Sequence, residues 1–423
     1  MDRLDGQIQH YRWGDLNTIA ELQQRHPSGV PEAELWLGAH HALPSTLRHQ
    51  GLSLDRVIER DPGGSLGSEV ESEFGTIPFL LKILAAAEPL SIQVHPNKAQ
   101  AEQGFSRQQF EGLAIDAPTR IFRDPNHKPE LICALARFEA KCGFRKVEQS
   151  QSIVGLLEAS ANQHARSDRS VVAQFKSKLN LESDDEATVL ARCLQWIYAL
   201  DHRECSHLVA ELAAGARQLV KHWPASTHID SADDECQMVV EWTVRLADSY
   251  PGDPGVAVAL LLNHVVLHPG EAMFLGAGVP HSYLGGAGIE IMANSDNVVR
   301  GGLTSKHVDT SELARMVNTQ PHKPVIQSAR RGHHRFDTPC SDFDLSRISG
   351  MTSHIVDPAG PEIVLVTEGV AHISTANSQE SRQQITLSRG EAAFVAYNDG
   401  PYRLSTTNDT VAWRASAGYQ TAG

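Results

Sequence analysis

The sequence predicts a mainly β protein interrupted by a helical insertion. Residues 1–145 carry short apolar runs punctuated by Gly and Pro, such as "AELWLGAHHALPS" and "IPFLLKILAAAEPLSIQVHP", which are strand and turn signals. Residues 146–250 change character: "DEATVLARCLQWIYAL" and "CSHLVAELAAGARQLVKHW" place apolar residues at three and four spacing, and Gly and Pro become sparse. From about 255 the strand signals return, in "GVAVALLLNHVVLHPGEAMFLGAGVPHSYLGG".

In chain order, the first part reads as strands with one helix around "LSLDRVIERD". In "SIQVHPNK" (91–98), period-two alternation puts Gln93 and His95 on one strand face and Ile92 and Val94 on the other. "ELICAL", after "NHKP", reads as a strand beginning at Glu130. The polar stretch "HKPVIQSARRGHHRFDTP" marks a weaker boundary near 320–340, and the remainder is β-like. The expected division is therefore a discontinuous β domain (1–145 and 251–325), a helical insertion (146–250) and a C-terminal β domain (326–423). An internal echo links the two β parts: "VLHPGEAMFLGAGVPH" (266–281) resembles "TLSRGEAAFVAYNDGP" (386–401), sharing L-x-x-G-E-A-x-F. Eleven residues past the shared Gly stands His281 in the first copy and Pro401 in the second. We read this as a β module used twice.

Composition narrows the function. The 423 residues are 41% hydrophobic and 21% charged, ordinary for a soluble globular protein. No run of about 18 apolar residues is present and the N-terminus "MDRLDGQIQHYRWGD" has no signal-peptide core, so no membrane association and a cytoplasmic location are expected. The net charge of −14 disfavours nucleic-acid binding, and a phosphate ligand would need a local cluster of Lys and Arg. The six cysteines are scattered without a CxxC pair, which disfavours disulfides and a thiolate zinc site.

Gln93, His95, Glu130 and His281 offer one amide oxygen, two imidazoles and one carboxylate on strand or turn positions. That mixed set suits zinc or another borderline divalent ion. Each residue alone is ordinary in a chain with 21 histidines. Lys98, Lys128, Arg300 and Lys306 lie close to these positions in sequence, as a phosphate pocket would need. No G-x-G-x-x-G or Walker pattern occurs, which excludes a nucleotide fold.

"SIQVHPNK", "HKPEL" and "LGAGVPHSYLGGAGIEIMANSDNVVRGGLTSKHVD", with "YRWG", "AELWLGAH" and "IPFLLKIL", together resemble type I mannose-6-phosphate isomerases (phosphomannose isomerases) of the cupin superfamily. The resemblance covers the N-terminal third and residues 255–310. It implies a cupin (jelly-roll) β-sandwich catalytic domain, an α-helical domain and a C-terminal degenerate cupin. It implies interconversion of mannose 6-phosphate and fructose 6-phosphate by one monomeric chain holding one Zn2+, on the path to GDP-mannose precursors. Matched position by position, the metal ligands fall on Gln93, His95, Glu130 and His281, and the active-site arginine on Arg300. For the proton transfers the candidates are Lys128, Glu290 and, at ring opening, His40; for the phosphate, Lys98, Lys306 and Ser91. Departures are Gly276 where Pro is common and Gly285 where Asn is common in the second cupin motif, His10 for Asn, and Gly301 for Ala. None of these is a ligand. The alternatives are the same chemistry on another sugar phosphate, a non-catalytic sugar-binding cupin, and a cupin iron oxygenase, which the Gln ligand and the surrounding cations disfavour.

Overall fold

A computed structural model describes residues 1–161, 170–181, 184–223, 232–376 and 384–418, with the side chains of 232–234 left aside. The mainly β layout with a helical insertion holds. Parts of the predicted insertion (162–169, 182–183 and 224–231) and of the predicted C-terminal domain (377–383 and 419–423) lie outside the described residues.

The strand His281–Ala293 organises the first β unit. Its first half pairs with Ile92–Val94 and Phe138–Phe144, and its second half with Phe79–Ala86 and Glu130–Ala134. One strand thus serves two groups of neighbours, and the register shifts between Tyr283 and Gly285 where it passes from one to the other. Gly286 makes the corner possible. Its φ is +117°, and a Cβ there would stand 2.5 Å from the Arg137 carbonyl oxygen, so only glycine fits without a backbone shift.

Alternation along these strands separates two environments. Leu81, Ile83, Leu131, Cys133, Ile289 and Ile291 point outward into an apolar core shared with Leu345, Ile363, Phe394 and Trp413 of the C-terminal unit. Lys82, Glu130 and Glu290 point the other way, into the space between the two strand groups. The insertion packs on the far side of the first group. Helices Val147–Ala161, Val171–Lys178, Glu186–Ala199, His202–His222 and Ala232–Ser249 bury Leu157, Phe175, Leu190, Leu212 and Leu246 in one core with Ile92 and Phe144 of the strands. The longest of them starts at a capping box: the Asp201 carboxylate accepts from Glu204 N, and the Glu204 carboxylate from Asp201 N.

Four expectations need correction. First, the sheets do not follow the boundaries at 145 and 326. Asp2–Asp5, Thr46–Leu47 and Leu52–Ser53 belong to the sheet of the C-terminal unit, with Leu4 opposite Ala392. Ile326–Ser328 pairs instead with Glu271–Leu275. Buried Leu4 joins the core between the units, and an edge strand gains hydrogen bonds wherever a partner edge is open. Second, more than one helix forms before residue 145: besides Leu54–Arg60, the segments Thr18–Leu22, Pro62–Leu66, Ser68–Phe74 and Lys98–Phe110 are helical. Third, "GVAVA" is the helix Gly255–Ala259, and the strand begins only at Leu262. Fourth, His95 is not part of the strand Ile92–Val94; it stands one residue beyond it.

The internal echo has matching turns. Gly270 and Gly390 both adopt left-handed φ, +85° and +82°. In each copy the Glu carboxylate accepts from a backbone N–H three residues back: His268 N to Glu271 at 2.8 Å and Ser388 N to Glu391 at 2.9 Å.

Candidate active site

Register explains how distant residues meet. His281 stands opposite Gln93, and Gln93 stands opposite Arg300 on the strand Val299–Gly302. Residues in register on adjacent antiparallel strands project from the same face, so these three side chains form a row. His95 is held at the end of its strand by the bond from Gly278 N to its carbonyl oxygen, 2.9 Å. Glu130, first residue of its strand, comes from the opposing group.

His95 Nε2 lies 3.2 Å from Glu130 Oε1, and His281 Nε2 lies 3.5 Å from Glu130 Oε2. The ligand atoms of these three buried residues all fall within 4.8 Å of one another. Each ring donates through Nδ1 to a backbone carbonyl: His95 to Asn297 O (2.8 Å) and His281 to Val279 O (3.0 Å). That fixes the tautomer that leaves Nε2 as a lone pair. His95 Nε2 is buried and makes no hydrogen bond. An orphaned buried nitrogen facing a carboxylate and a second imidazole fits a divalent metal. Burial pushes His95 down to about 4 against the pull of Glu130, which keeps the ring neutral and able to ligate. Burial works to raise Glu130, but its surroundings, in which Lys128 is the charged partner once His95 is neutral, hold the carboxyl well below its usual range.

Gln93, Glu130 and His281 line a cavity together with Ser91, Lys128 and Glu290. Lys128 Nζ is 3.3 Å from Glu130 Oε1. The wall contains two residues that sequence reasoning passed over, Lys82 and Glu34. Lys82 Nζ lies 3.0 Å from Glu290 and 3.4 Å from Glu34, and 5.3 Å above the Trp36 ring. Trp36 in turn donates to Glu34 at 2.7 Å. Burial opposes the charge on Lys82, yet Glu290 and Glu34 keep it protonated. Burial raises Glu290, with Lys82 pulling the other way and Glu130 and Glu34 adding to the rise. The signal was available: a single lysine inside "IPFLLKIL", a strand buried along its whole length.

Cations gather near Arg300. Arg300 is lowered by burial and then by Arg123; Lys306 is lowered by burial, then by Arg300 and Arg123. Arg123 was not singled out from sequence. Lys98 stands apart from the cavity lining: its ammonium donates to Asn126 at 2.8 Å and lies 3.8 Å from Glu102.

His40 is buried, with both ring nitrogens engaged. Nδ1 accepts from Ala42 N at 3.2 Å, so the neutral ring carries its proton on Nε2, 3.4 Å from Asp296 Oδ1. Asp296 is pushed down to about 2: burial raises it, and the His40 bond more than offsets that. His40, His41 and Asp296 also lie close enough to hold a metal. With Nδ1 occupied as an acceptor, His40 has no free lone pair at Nε2, and the Nε2–H faces the Asp296 carboxylate.

The chain is similar to known proteins over most of its length. Residues 1–147 match the family model described as phosphomannose isomerase type I, catalytic domain. The chain is 37% identical to mannose-6-phosphate isomerase of Escherichia coli (strain K12) across 95% of its own length and 96% of the relative's. The chain belongs to the type I phosphomannose isomerase family. A member from Rattus norvegicus is 32% identical, covering 93% of this chain and 92% of the relative. Among solved structures, a zinc-bound mannose 6-phosphate isomerase superposes with a TM-score of 0.81 at 33% identity, covering 99% of both chains. A mutant of phosphomannose isomerase from Salmonella typhimurium superposes with a TM-score of 0.83 at 32% identity, covering 99% of this chain and 100% of that one.

Proposed function

We propose that this chain interconverts mannose 6-phosphate and fructose 6-phosphate, with one zinc ion held by Gln93, His95, Glu130 and His281. The observation that carries the reading is the buried convergence of two Nε2 atoms and a carboxylate, with His95 Nε2 orphaned. Zinc bound there supplies a fixed positive charge beside the sugar.

Aldose–ketose isomerisation opens the ring, moves a proton between C2 and C1, and moves another between O1 and O2. The intermediate enediolate is anionic, so fixed cations favour the route to it. Arg300, in the row beside Gln93, supplies a charge that does not titrate near neutrality. Lys128 and Glu290, both in the cavity lining, handle the protons. Lys82 fixes Glu290 from behind. His40 acts through Asp296 as a positioning residue, since neither ring nitrogen is free for the sugar. Lys306, Arg123 and Ser91 form the phosphate end, and Lys98 steers from the rim. Binding the unreacting phosphate anchors the chain so that C1 and C2 meet the proton-handling groups.

The rest of the reading follows the resemblance. The β unit around the site is a cupin, the helices are an inserted domain, and the C-terminal unit is a cupin that has Pro401 where the first has its metal histidine. The enzyme works as a cytoplasmic monomer, without nucleic acid or membrane, and serves the supply of GDP-mannose precursors. Among the described residues no helix is long and apolar enough to cross a membrane. The test is a coupled assay for fructose 6-phosphate from mannose 6-phosphate, run beside other hexose and pentose phosphates. Mannose 6-phosphate is expected to have the highest kcat/KM; a better substrate among the others would overturn the sugar assignment.

A further inference from the structure

Between the helix Lys98–Phe110 and the strand Glu130–Ala134 the chain forms no helix or strand, yet this segment delivers Arg123 and Lys128 to the site and leads into Glu130. Its backbone groups need partners from elsewhere. Buried side chains supply them. Gln108 Oε1 accepts from Phe122 N at 2.9 Å and from Ile121 N at 3.2 Å. Beyond Phe122 the segment is held by Asn297.

Asn297 is fully buried. Its Oδ1 accepts from Arg123 N at 2.7 Å and Asp124 N at 3.3 Å. Its Nδ2 donates to Asp124 O at 2.8 Å, Asn126 O at 2.7 Å and Asp124 Oδ1 at 3.2 Å. Its own carbonyl oxygen accepts from His95 Nδ1 at 2.8 Å, the bond that leaves Nε2 free to ligate. One residue therefore touches both sides: its main chain orients a histidine of the metal site, and its side chain fixes the loop that brings the cations.

We infer that Asn297 is a positioning residue that locks the His95 side of the metal site to the loop carrying Arg123 and Lys128, so that metal retention and sugar-phosphate affinity depend on it together. This rests on the zinc and sugar-phosphate reading above. The amide suits this place because the loop presents both N–H donors and carbonyl acceptors to it, and an amide offers two donors and an acceptor on one short, uncharged planar head. Asn297→Ala would strand these partners in a buried place.

The test uses the zinc-loaded full chain. It measures the half-time of zinc loss to excess 1,10-phenanthroline, KM for mannose 6-phosphate, and far-UV circular dichroism to confirm folding. Asn297→Ala keeps the carbonyl that orients His95 but frees the loop that fixes it in place, and is expected to lose zinc about tenfold faster and to raise KM by about tenfold, the lower end of the range for disturbing the partners of metal ligands. Asn297→Asp is expected to do the same, because it sets a second carboxylate against Asp124. Asn297→Asp keeps the size and the Oδ1 acceptor and removes the Nδ2 donor, which serves the Asp124 and Asn126 carbonyls. A folded Asn297→Ala or Asn297→Asp variant with zinc half-time and KM within about twofold of the parent overturns the inference. Should Asn297→Ala fail to fold, Asn297→Asp decides on the same criterion. A parent that binds zinc but does not isomerise mannose 6-phosphate counts against the functional reading, and the zinc half-times then judge the positioning role alone.

Discussion

Replacing Lys82 by Met tests the electrostatic design of the site. Lys82 is about 5% exposed and lies between Glu290 and Glu34, which are 3% and 6% exposed. Met keeps the stem's bulk and removes the charge. Two carboxylates are then left in a dry setting without their cation, and one of them must take up a proton. Protonating a carboxyl with an ordinary pKa near 4.3 costs about 4 kcal/mol at pH 7 and about 1 kcal/mol at pH 5. The upper figure agrees with the roughly 3–5 kcal/mol lost when one partner of a buried pair is deleted. The sign follows from linkage. The carboxyl pKa in the folded variant is raised above its unfolded value, so the destabilisation is smallest at low pH and grows as pH rises through the unfolded pKa. Urea unfolding of parent and Lys82→Met, followed by tryptophan fluorescence at pH 5 and pH 7, reads this directly. A difference that shrinks by about 3 kcal/mol on acidification is expected; a pH-independent difference would refute the reasoning.

Three further outcomes are expected. Gly286→Ala forces a Cβ against the Arg137 carbonyl at a φ of +117° and should cost about 3 kcal/mol, seen as a lowered Tm together with faster zinc loss; an unchanged Tm would show that the strand corner tolerates a side chain. Arg414→Met leaves Glu362, fully buried and bonded to Arg414 Nε at 2.7 Å and the Tyr402 hydroxyl at 2.5 Å, without its cation. It should cost about 3–5 kcal/mol in denaturant unfolding while KM stays unchanged. Burial, with Lys141 adding, pushes His264 down to about 4 from 6.5, so its contribution is intact above pH 6.5 and lost as pH falls toward 4. That loss is worth about 3 kcal/mol, and His264→Gln should flatten the pH dependence of Tm over that window by the corresponding amount.

The parts of the site readable in sequence were those on local patterns. Gln93 and His95 stood out because polar residues alternate into an apolar stretch, and Glu130 because a strand begins behind a proline. His281 was visible at the end of the Gly-turn motif, and its partner motif showed Pro401 in the same place. The helical insertion was legible from spacing alone. What escaped were features made by long-range pairing. Nothing near Asp2–Asp5 reveals that it completes a sheet with residues almost four hundred positions later. Lys82 was visible as a charge in a buried strand, but its meaning depends on Glu290 and Glu34 arriving from two other strands. The helix Lys98–Phe110 was missed because it is mostly polar and buries little more than Ala101, Gly104 and Gln108; its mark was the Asn97–Gln100 capping box. The loop holding Arg123 has no period to read, since side chains rather than a regular ladder satisfy its backbone.

The most direct test of the account is zinc content measured alongside activity in the parent and in Glu130→Ala, before and after removal of metal by chelator. We expect one zinc per parent chain, isomerisation of mannose 6-phosphate lost on its removal and restored by zinc, and neither binding nor activity in folded Glu130→Ala. Isomerisation that persists in parent protein shown to be metal-free, or stoichiometric zinc retained by Glu130→Ala, would contradict the proposed centre.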